Sequence, residues 1–158
     1  MNKTAIAVAL VVSGITSAQA AEVYNKNSNK LDLNGKVKAT HSWADGEDTD
    51  GTYARLGFRG ETQITSELTG FGQYEGQFDA SNAEGSQNAA TTRLAFAGLD
   101  YNHNVSADYG RNYGIAYDVG AYKDVLSEFG GDAYEGTDSF LTGRASSVAT
   151  LRTRNAFG

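Results

Sequence analysis

The chain has 158 residues, of which 40% are apolar and 20% are charged, and it contains nineteen glycines, no proline and no cysteine. Its formal net charge of −6 at pH 7 excludes a nucleic-acid binder that relies on a basic surface, and the lack of cysteine excludes disulfides and thiolate metal sites. The apolar and aromatic content is too high for a disordered chain. Abundant glycine and tyrosine, with short polar–apolar alternations, predict an all-β protein.

The first twenty residues have the three parts of a secretory signal peptide. Lys3 precedes a small apolar stretch over residues 4–12, and a small-x-small cleavage site ends at Ala20. The alternative, a membrane anchor, needs ~20 apolar residues, more than this stretch provides. We therefore expect residues 1–20 to be a cleaved signal peptide and residues 21–158 to be exported. An exported chain without an apolar helix is either soluble or an outer-membrane β-barrel.

Alternation of polar and apolar side chains predicts six strands, because successive side chains of a strand point to opposite faces. In the fourth segment, Leu94 and Phe96 are expected on the apolar face, opposite Arg93. The last two of the six segments alternate more weakly than the others. The segments are residues 30–42, 53–64, 73–79, 93–97, 105–113 and 144–152.

Two architectures share this alternation, a membrane β-barrel and a soluble sandwich. The apolar faces include Gly and Ala, which suit a lipid-facing surface better than a tightly packed core. The connections alternate between a short turn at residues 65–70 and longer polar loops at 44–51 and 80–90, as periplasmic turns and external loops do. These features favour the barrel. A glycine-rich acidic segment at about 117–138 exceeds ordinary loop lengths and is expected to be functional or disordered.

Five blocks of the sequence resemble the general diffusion porins of enterobacterial outer membranes. They occur in the order and at the spacing of that family, over nearly the whole chain. The blocks are AEVYNK at residues 21–26, TYARLGF at 52–58, TRLAFAGL at 92–99, YGRNYG at 109–114 and EFGGD at 128–132.

The resemblance implies an antiparallel transmembrane β-barrel of the sixteen-stranded porin type, assembled as a homotrimer among the lipids and lipopolysaccharide of a Gram-negative outer membrane. Each barrel would be a passive pore for ions and small hydrophilic solutes, with no cofactor, metal, catalytic residue or nucleic acid. The resemblance also implies that the loop at about 117–138 folds inward and constricts the pore. Implied wall cations are Lys36, Arg55, Arg93 and Arg144, and implied loop carboxylates facing them are Asp124 and Glu128.

The residues themselves support part of this assignment. An arginine on the lipid face near the midplane costs about 2–4 kcal/mol, so Arg55 and Arg93 are expected to face inward. Without the family, Asp124 and Glu128 could equally be a solvated loop face. Cations opposite carboxylates would set up an electric field across a narrow opening and tune permeation.

The chain is short for a complete barrel. Sixteen strands at about 23 residues each would need roughly 370 residues, and six strands leave two open edges. Unpaired backbone groups in hydrocarbon cost several kcal/mol each. We therefore expect the N-terminal part of a porin, as a fragment of a longer product or a decaying gene copy, and no stable pore from this chain alone.

Other constellations indicate no enzyme and no metal site. The acidic loop at 44–51 resembles a calcium loop, but Gly46 and Gly57 occupy positions where the template needs carboxylates. His41 and His103 lack ligand spacing. The rival to a pore is a soluble exported β-domain that binds cations or glycans through its acidic loops. A porin segment should sediment with the outer membrane and need detergent, whereas the rival should appear in the periplasmic extract.

Overall fold

The computed structural model describes residues 10–12, 20–44, 47–86, 89–121 and 141–154, and within these ranges it has nine strands and one helical turn. The strands are β1 (Leu10–Val12), β2 (Ala21–Lys26), β3 (Asn29–Ala44), β4 (Glu47–Asp50), β5 (Tyr53–Gln63), β6 (Leu68–Asp79), β7 (Ala90–Tyr101), β8 (Val105–Tyr113) and β9 (Arg144–Thr153). The helical turn α1 covers Tyr117–Gly120. None of the helices in the described ranges has the length and apolar character to cross a membrane.

The sheet is an antiparallel meander in which β3, β5, β6, β7, β8 and β9 are hydrogen-bonded in that order. β2 folds back on β3 through Asn27 and Ser28, whose positive φ angles suit a two-residue hairpin. β4 pairs with the end of β3, in the segment expected to be a loop at 44–51. β1, within the predicted signal peptide, pairs with residues 39–41.

All six predicted strands are confirmed, as β3 and β5 to β9. The bounds differ most for the third and fourth, because β6 begins at Leu68 and β7 extends over Ala90–Tyr101. Glycines and threonines at the strand ends interrupt the polar–apolar alternation, which is why sequence patterning gave shorter segments. The turn before β6 is correspondingly brief, and the Thr65 hydroxyl accepts a hydrogen bond there from the Leu68 N–H at 3.0 Å.

The pairing register separates the side chains into two faces. The polar face includes Lys36 of β3 opposite Arg55 of β5, and Arg55 is in turn opposite Gln77 of β6. The apolar face holds large hydrophobic side chains that are 37% to 75% exposed, so no described element covers it. Those side chains are Leu31, Leu33, Val37, Leu56, Phe58, Tyr74, Phe78, Leu99, Tyr101, Tyr109 and Leu151.

The most buried side chains lie on the polar face. Val148 is 2% exposed and is opposite Gly110, and the buried Asp108 is opposite Thr150. The charged side of the sheet is therefore the more enclosed side, as expected for the concave surface of a sheet that curves towards closure.

The prediction that Leu94 and Phe96 lie opposite Arg93 is wrong. Glu75 pairs with Leu94 and Gly76 with Thr92, so Arg93 is an extra residue in a β-bulge. A bulge shifts the alternation by one residue, which leaves Arg93 on the polar face and puts Leu94 and Phe96 there too. Phe96 meets Phe71 edge-on at 6.4 Å between ring centroids.

Candidate functional site

Four side chains predicted to line a pore wall, Lys36, Arg55, Arg93 and Arg144, lie across the polar face and are called here the cationic cluster. Lys36 and Arg55 are direct cross-strand neighbours. The charges of Arg55, Arg93 and Arg144 act on one another, although the three residues come from β5, β7 and β9. The fold therefore assembles cations from four strands, including three arginines that are at least 38 positions apart in sequence.

The mutual repulsion of these cations is offset by specific partners. Arg93 Nε donates to Glu75 Oε1 at 2.5 Å, and the two side chains are only 13% and 17% exposed. Arg93 also donates to the Tyr113 hydroxyl at 3.4 Å, and Arg55 Nε donates to Gln77 Oε1 at 2.8 Å. Among the described residues, Glu75 is the one carboxylate paired with the cluster, so the cluster keeps a net positive charge.

Tyr53 is a site residue that the sequence analysis missed. Its ring lies under three cations, with the centroid 5.4 Å from Lys36 Nζ, 6.0 Å from Lys38 Nζ and 4.7 Å from Arg55 Cζ. The negative ring face attracts each cation. The available signal was positional, because Tyr53 is two residues from Arg55 and therefore shares its face.

The predicted loop carboxylates Asp124 and Glu128 lie outside the described residues, as does most of the loop at 117–138. The described ends of that loop are held together by backbone hydrogen bonds, from Gly114 N to Gly143 O at 3.0 Å and from Ala116 N to Leu141 O at 3.1 Å. The chain thus leaves and re-enters the sheet at one place, beside the start of β9.

A second polar group, also not predicted from the sequence, joins the start of this loop to the sheet. It consists of Asp108, Asp118, Thr150 and Arg152 and is called here the Arg152 cluster. Arg152 Nε donates to Asp118 Oδ2 at 2.9 Å, and Arg152 Nη1 donates to Asp108 Oδ2 at 3.0 Å. Because Arg152 is on the polar face, α1 lies over that face.

One arginine departs from the division between the faces. Arg111 is opposite Ala95, a position on the apolar side, and it donates to Thr92 O at 2.9 Å and to Ser146 Oγ at 3.1 Å. These bonds satisfy part of a guanidinium that is costly on a lipid-facing surface. Strict alternation places Arg111 on that side, yet its presence there was not anticipated.

Comparisons with known proteins agree on one kind of relative. Residues 26–158 match the family described as Gram-negative porin. The chain is 55% identical over 164 residues to outer membrane porin protein NmpC of Escherichia coli and 57% identical over 163 residues to outer membrane porin protein OmpD of Salmonella typhimurium, covering all of this chain but 45% and 44% of those proteins. The chain thus spans less than half the length of these relatives.

One further relative and one solved structure are covered to different extents by this chain. Outer membrane protein YedS of Escherichia coli is 54% identical over 152 residues, which cover 95% of this chain and 93% of YedS. The solved structure of Salmonella typhi OmpF in complex with daunomycin superposes with a TM-score of 0.77 at 49% identity, over 84% of this chain and 41% of the other. The antiparallel sheet described here is therefore a portion of the porin β-barrel fold.

Proposed function

Because this chain belongs to the family of Gram-negative porins, we propose that its sheet forms part of the wall of a passive pore in the outer membrane. Ions and small hydrophilic solutes would diffuse through it without an energy source, a cofactor or a catalytic step. The observation that carries this proposal is a cationic cluster on the enclosed face of a sheet whose opposite face is apolar and bare.

The two faces suit two different solvents. A barrel can span a bilayer because every backbone group is paired between strands, while lipid-facing and lumen-facing side chains alternate. Val37, Leu56 and Leu151 would face lipid, and the cationic cluster would face the water-filled lumen. Closing the wall requires strands beyond those described here, and we propose the sixteen-stranded barrel of the family as the closed form.

We place the constriction of this pore at the cationic cluster. The cluster would form one side of the opening, with Asp124 and Glu128 of the loop at about 117–138 facing it. The position of α1 over the polar face supports an inward path for this loop. Opposed charges between low-dielectric walls would set the ion preference, and the width of the gap would set the size limit for solutes.

The assembly and route follow from the same proposal. Residues 1–20 would be removed as a signal peptide after export, and the mature chain would sit among outer-membrane lipids and lipopolysaccharide as a homotrimer. The rival, a soluble β-domain that binds cations or glycans, is not favoured, because a soluble protein does not leave so many large side chains of one sheet face exposed.

A full-length chimera tests the pore directly. Residues 21–154 of this chain would replace the matching part of NmpC, and the purified protein would be recorded in planar lipid bilayers. We expect steady conductance steps and, in the triple variant Lys36→Gln/Arg55→Gln/Arg144→Gln, an ion preference shifted towards cations. A matched triple variant Lys26→Gln/Lys30→Gln/Arg154→Gln, which removes three positive charges away from the cluster, should shift the preference far less. An outer-membrane chimera whose ion preference ignores the cluster would contradict the proposal.

The 158-residue chain itself separates the pore from its soluble rival. After expression with its own leader, cell fractionation should find the chain in the outer-membrane pellet, extractable only with detergent. Recovery from the periplasmic extract in a monodisperse form would support the rival. In bilayers we expect no stable pore from this chain alone, and steady conductance steps would overturn that expectation.

A further inference from the structure

The side chain of Arg152 makes contacts in two directions. It reaches outward to the helical turn α1, where Nε and Nη2 donate to the two carboxylate oxygens of Asp118 at 2.9 and 3.4 Å. It also reaches along the wall, where Nη1 donates to Asp108 Oδ2 at 3.0 Å and to Thr150 Oγ1 at 2.6 Å. A single guanidinium therefore bridges α1 to the sheet.

The wall side of this bridge is rigidly built. Asp108 is 8% exposed and accepts hydrogen bonds from Thr150 Oγ1 at 2.6 Å and from Asn112 Nδ2 at 2.8 Å. Buried carboxylates that are fully hydrogen-bonded have one arrangement rather than several. The sheet side chains therefore orient the Arg152 guanidinium independently of its contact with α1.

The bridge is connected to the cationic cluster by short contacts. Asn112 Oδ1 accepts from the N–H of Tyr113, whose hydroxyl accepts from Arg93. The ring of Tyr113 stacks on that of Tyr117, the first residue of α1, with 3.8 Å between centroids and 13° between planes. The side chains that hold α1 therefore also contact a member of the cationic cluster.

We infer that Arg152 is a positioning residue that holds α1, the root of the segment 122–140, against the polar face. The consequence is that the direction in which the chain leaves the sheet at Ala121 is fixed relative to the cationic cluster. The importance of that direction for a pore rests on the proposed function. The docking of α1 is set by the Arg152–Asp118 contact and the Tyr113–Tyr117 stack.

Arginine is specifically required for this geometry. Its planar guanidinium presents donors in a fixed fork, so it can bind one carboxylate with two nitrogens and another acceptor with the third. A lysine ammonium is a compact point charge and cannot span Asp118 and Asp108 in the same way. Asp108, Asp118 and Arg152 line a cavity of about 230 Å³, so water can reach either partner of the Arg152–Asp118 contact when α1 leaves.

The test is a spin label on α1 in the full 158-residue chain in lipid vesicles. The chain has no cysteine, so Val119→Cys gives a single labelling site, and Val119 is 71% exposed. In the parent chain the label should report mainly a docked, slow-moving component. Asp118→Asn and Arg152→Lys should each lower the ratio of docked to free label about tenfold, the effect of losing one charge-assisted hydrogen bond.

Two controls separate docking from general damage to the sheet. Arg154→Lys changes a neighbouring guanidinium that pairs with Asp100 at 3.6 Å, and it should leave the label at position 119 docked. A label at Leu151→Cys, on the apolar face of β9, should not respond to Asp118→Asn. The double variant Asp118→Asn/Arg152→Lys should free the label no more than either single variant, because both remove the same contact.

The outcomes decide the inference without reference to conductance. A label that is already free in the parent chain, or that stays docked in Asp118→Asn, overturns it. So does a label at position 151 that loosens together with the one at 119, since Arg152 would then only stabilise β9. A docked α1 in this chain alongside a chimera that fails to conduct would leave the inference standing and remove the pore proposal.

Discussion

The two faces of the sheet are organised in opposite ways. The polar face is enclosed, and its charges are joined by specific contacts such as Arg93–Glu75 at 2.5 Å and Arg152–Asp108 at 3.0 Å. On the apolar face the described residues make few such contacts, those of Arg111 among them, and Val37 and Leu151 are 75% and 64% exposed. In a soluble protein the packed side would be apolar and the bare side polar.

The contrast between the two faces shows where the specificity of this fold lies. Fluid lipid accommodates apolar side chains of any shape, so the apolar face needs no complementary packing of its own. On the polar face, every charge must find a partner or water, which fixes individual rotamers and distances. Substitutions on the two faces should therefore destabilise the protein for different reasons.

A charge introduced on the apolar face should destabilise the protein most. Leu56→Arg in the full-length chimera should lower the free energy of unfolding in lipid by about 2–4 kcal/mol, because the guanidinium would enter hydrocarbon. Urea titration in vesicles measures this. The matched control is Thr69→Arg, which adds the same side chain on the polar face opposite Asp100 and should change little. Equal losses from both variants would show that the faces do not see different solvents.

The next effect separates the faces by packing rather than charge. Gly98 lies on the polar face, where a Cβ would clash with the carbonyl oxygen of Ala107 and come within 2.6 Å of Phe71 Cζ. Gly98→Ala should cost about 2–3 kcal/mol, since overpacking a close contact forces the backbone to shift. Gly72→Ala on the apolar face would meet nothing closer than 3.7 Å, so its urea midpoint should stay at or above that of the parent. The reverse order would mean that the apolar face is the packed one.

A smaller effect isolates the one ion pair within the cationic cluster. Glu75→Gln keeps an acceptor for Arg93 but removes the opposing charge, and with both side chains largely buried it should cost about 1–2 kcal/mol. Freeing the charge of Arg93 should also shift the ion preference of the chimera towards anions, most strongly at low salt. Glu61→Gln, which breaks the more exposed Arg59 pair, is the control and should shift neither quantity as far. An unchanged preference in Glu75→Gln would show that Arg93 does not face the path of the ions.

Much of the fold follows from the sequence because a strand has a period of two. Leu56, Phe58, Arg55 and Arg59 fall on their observed faces by counting alone. The count fails at Arg93, since a bulge inserts one residue without any local sign in composition. Leu94 and Phe96 were therefore assigned to the wrong face, although their chemistry looked compatible with lipid.

The sequence predicts a site residue only where alternation alone decides the face on which it lies. Lys36 and Arg55 could be assigned to one face from alternation, but the nearness of Arg55 to Arg93 and Arg144 depends on how the five strands β5 to β9 align. Tyr53 and Arg152 were missed for the same reason, because their partners lie on other strands or, for Asp118, in a helical turn 34 residues away. Sequence period reports which way a side chain points, whereas strand register decides what it meets.

The smallest expected effect tests whether an aromatic ring organises the cations of the polar face. Tyr53→Leu removes a ring shared by Lys36, Lys38 and Arg55 and should destabilise the chimera by about 0.5–1 kcal/mol, the size of an exposed cation–π contact. Tyr53→Phe keeps the ring and should match the parent, so the pair separates the ring from the hydroxyl. The more telling readout is ion preference at low salt, because cations released from the ring adopt more rotamers and act on passing ions less uniformly. If Tyr53→Leu leaves both stability and preference at the parent values, the ring does not organise the three cations, and the bond from Arg55 to Gln77 together with the strand register is sufficient.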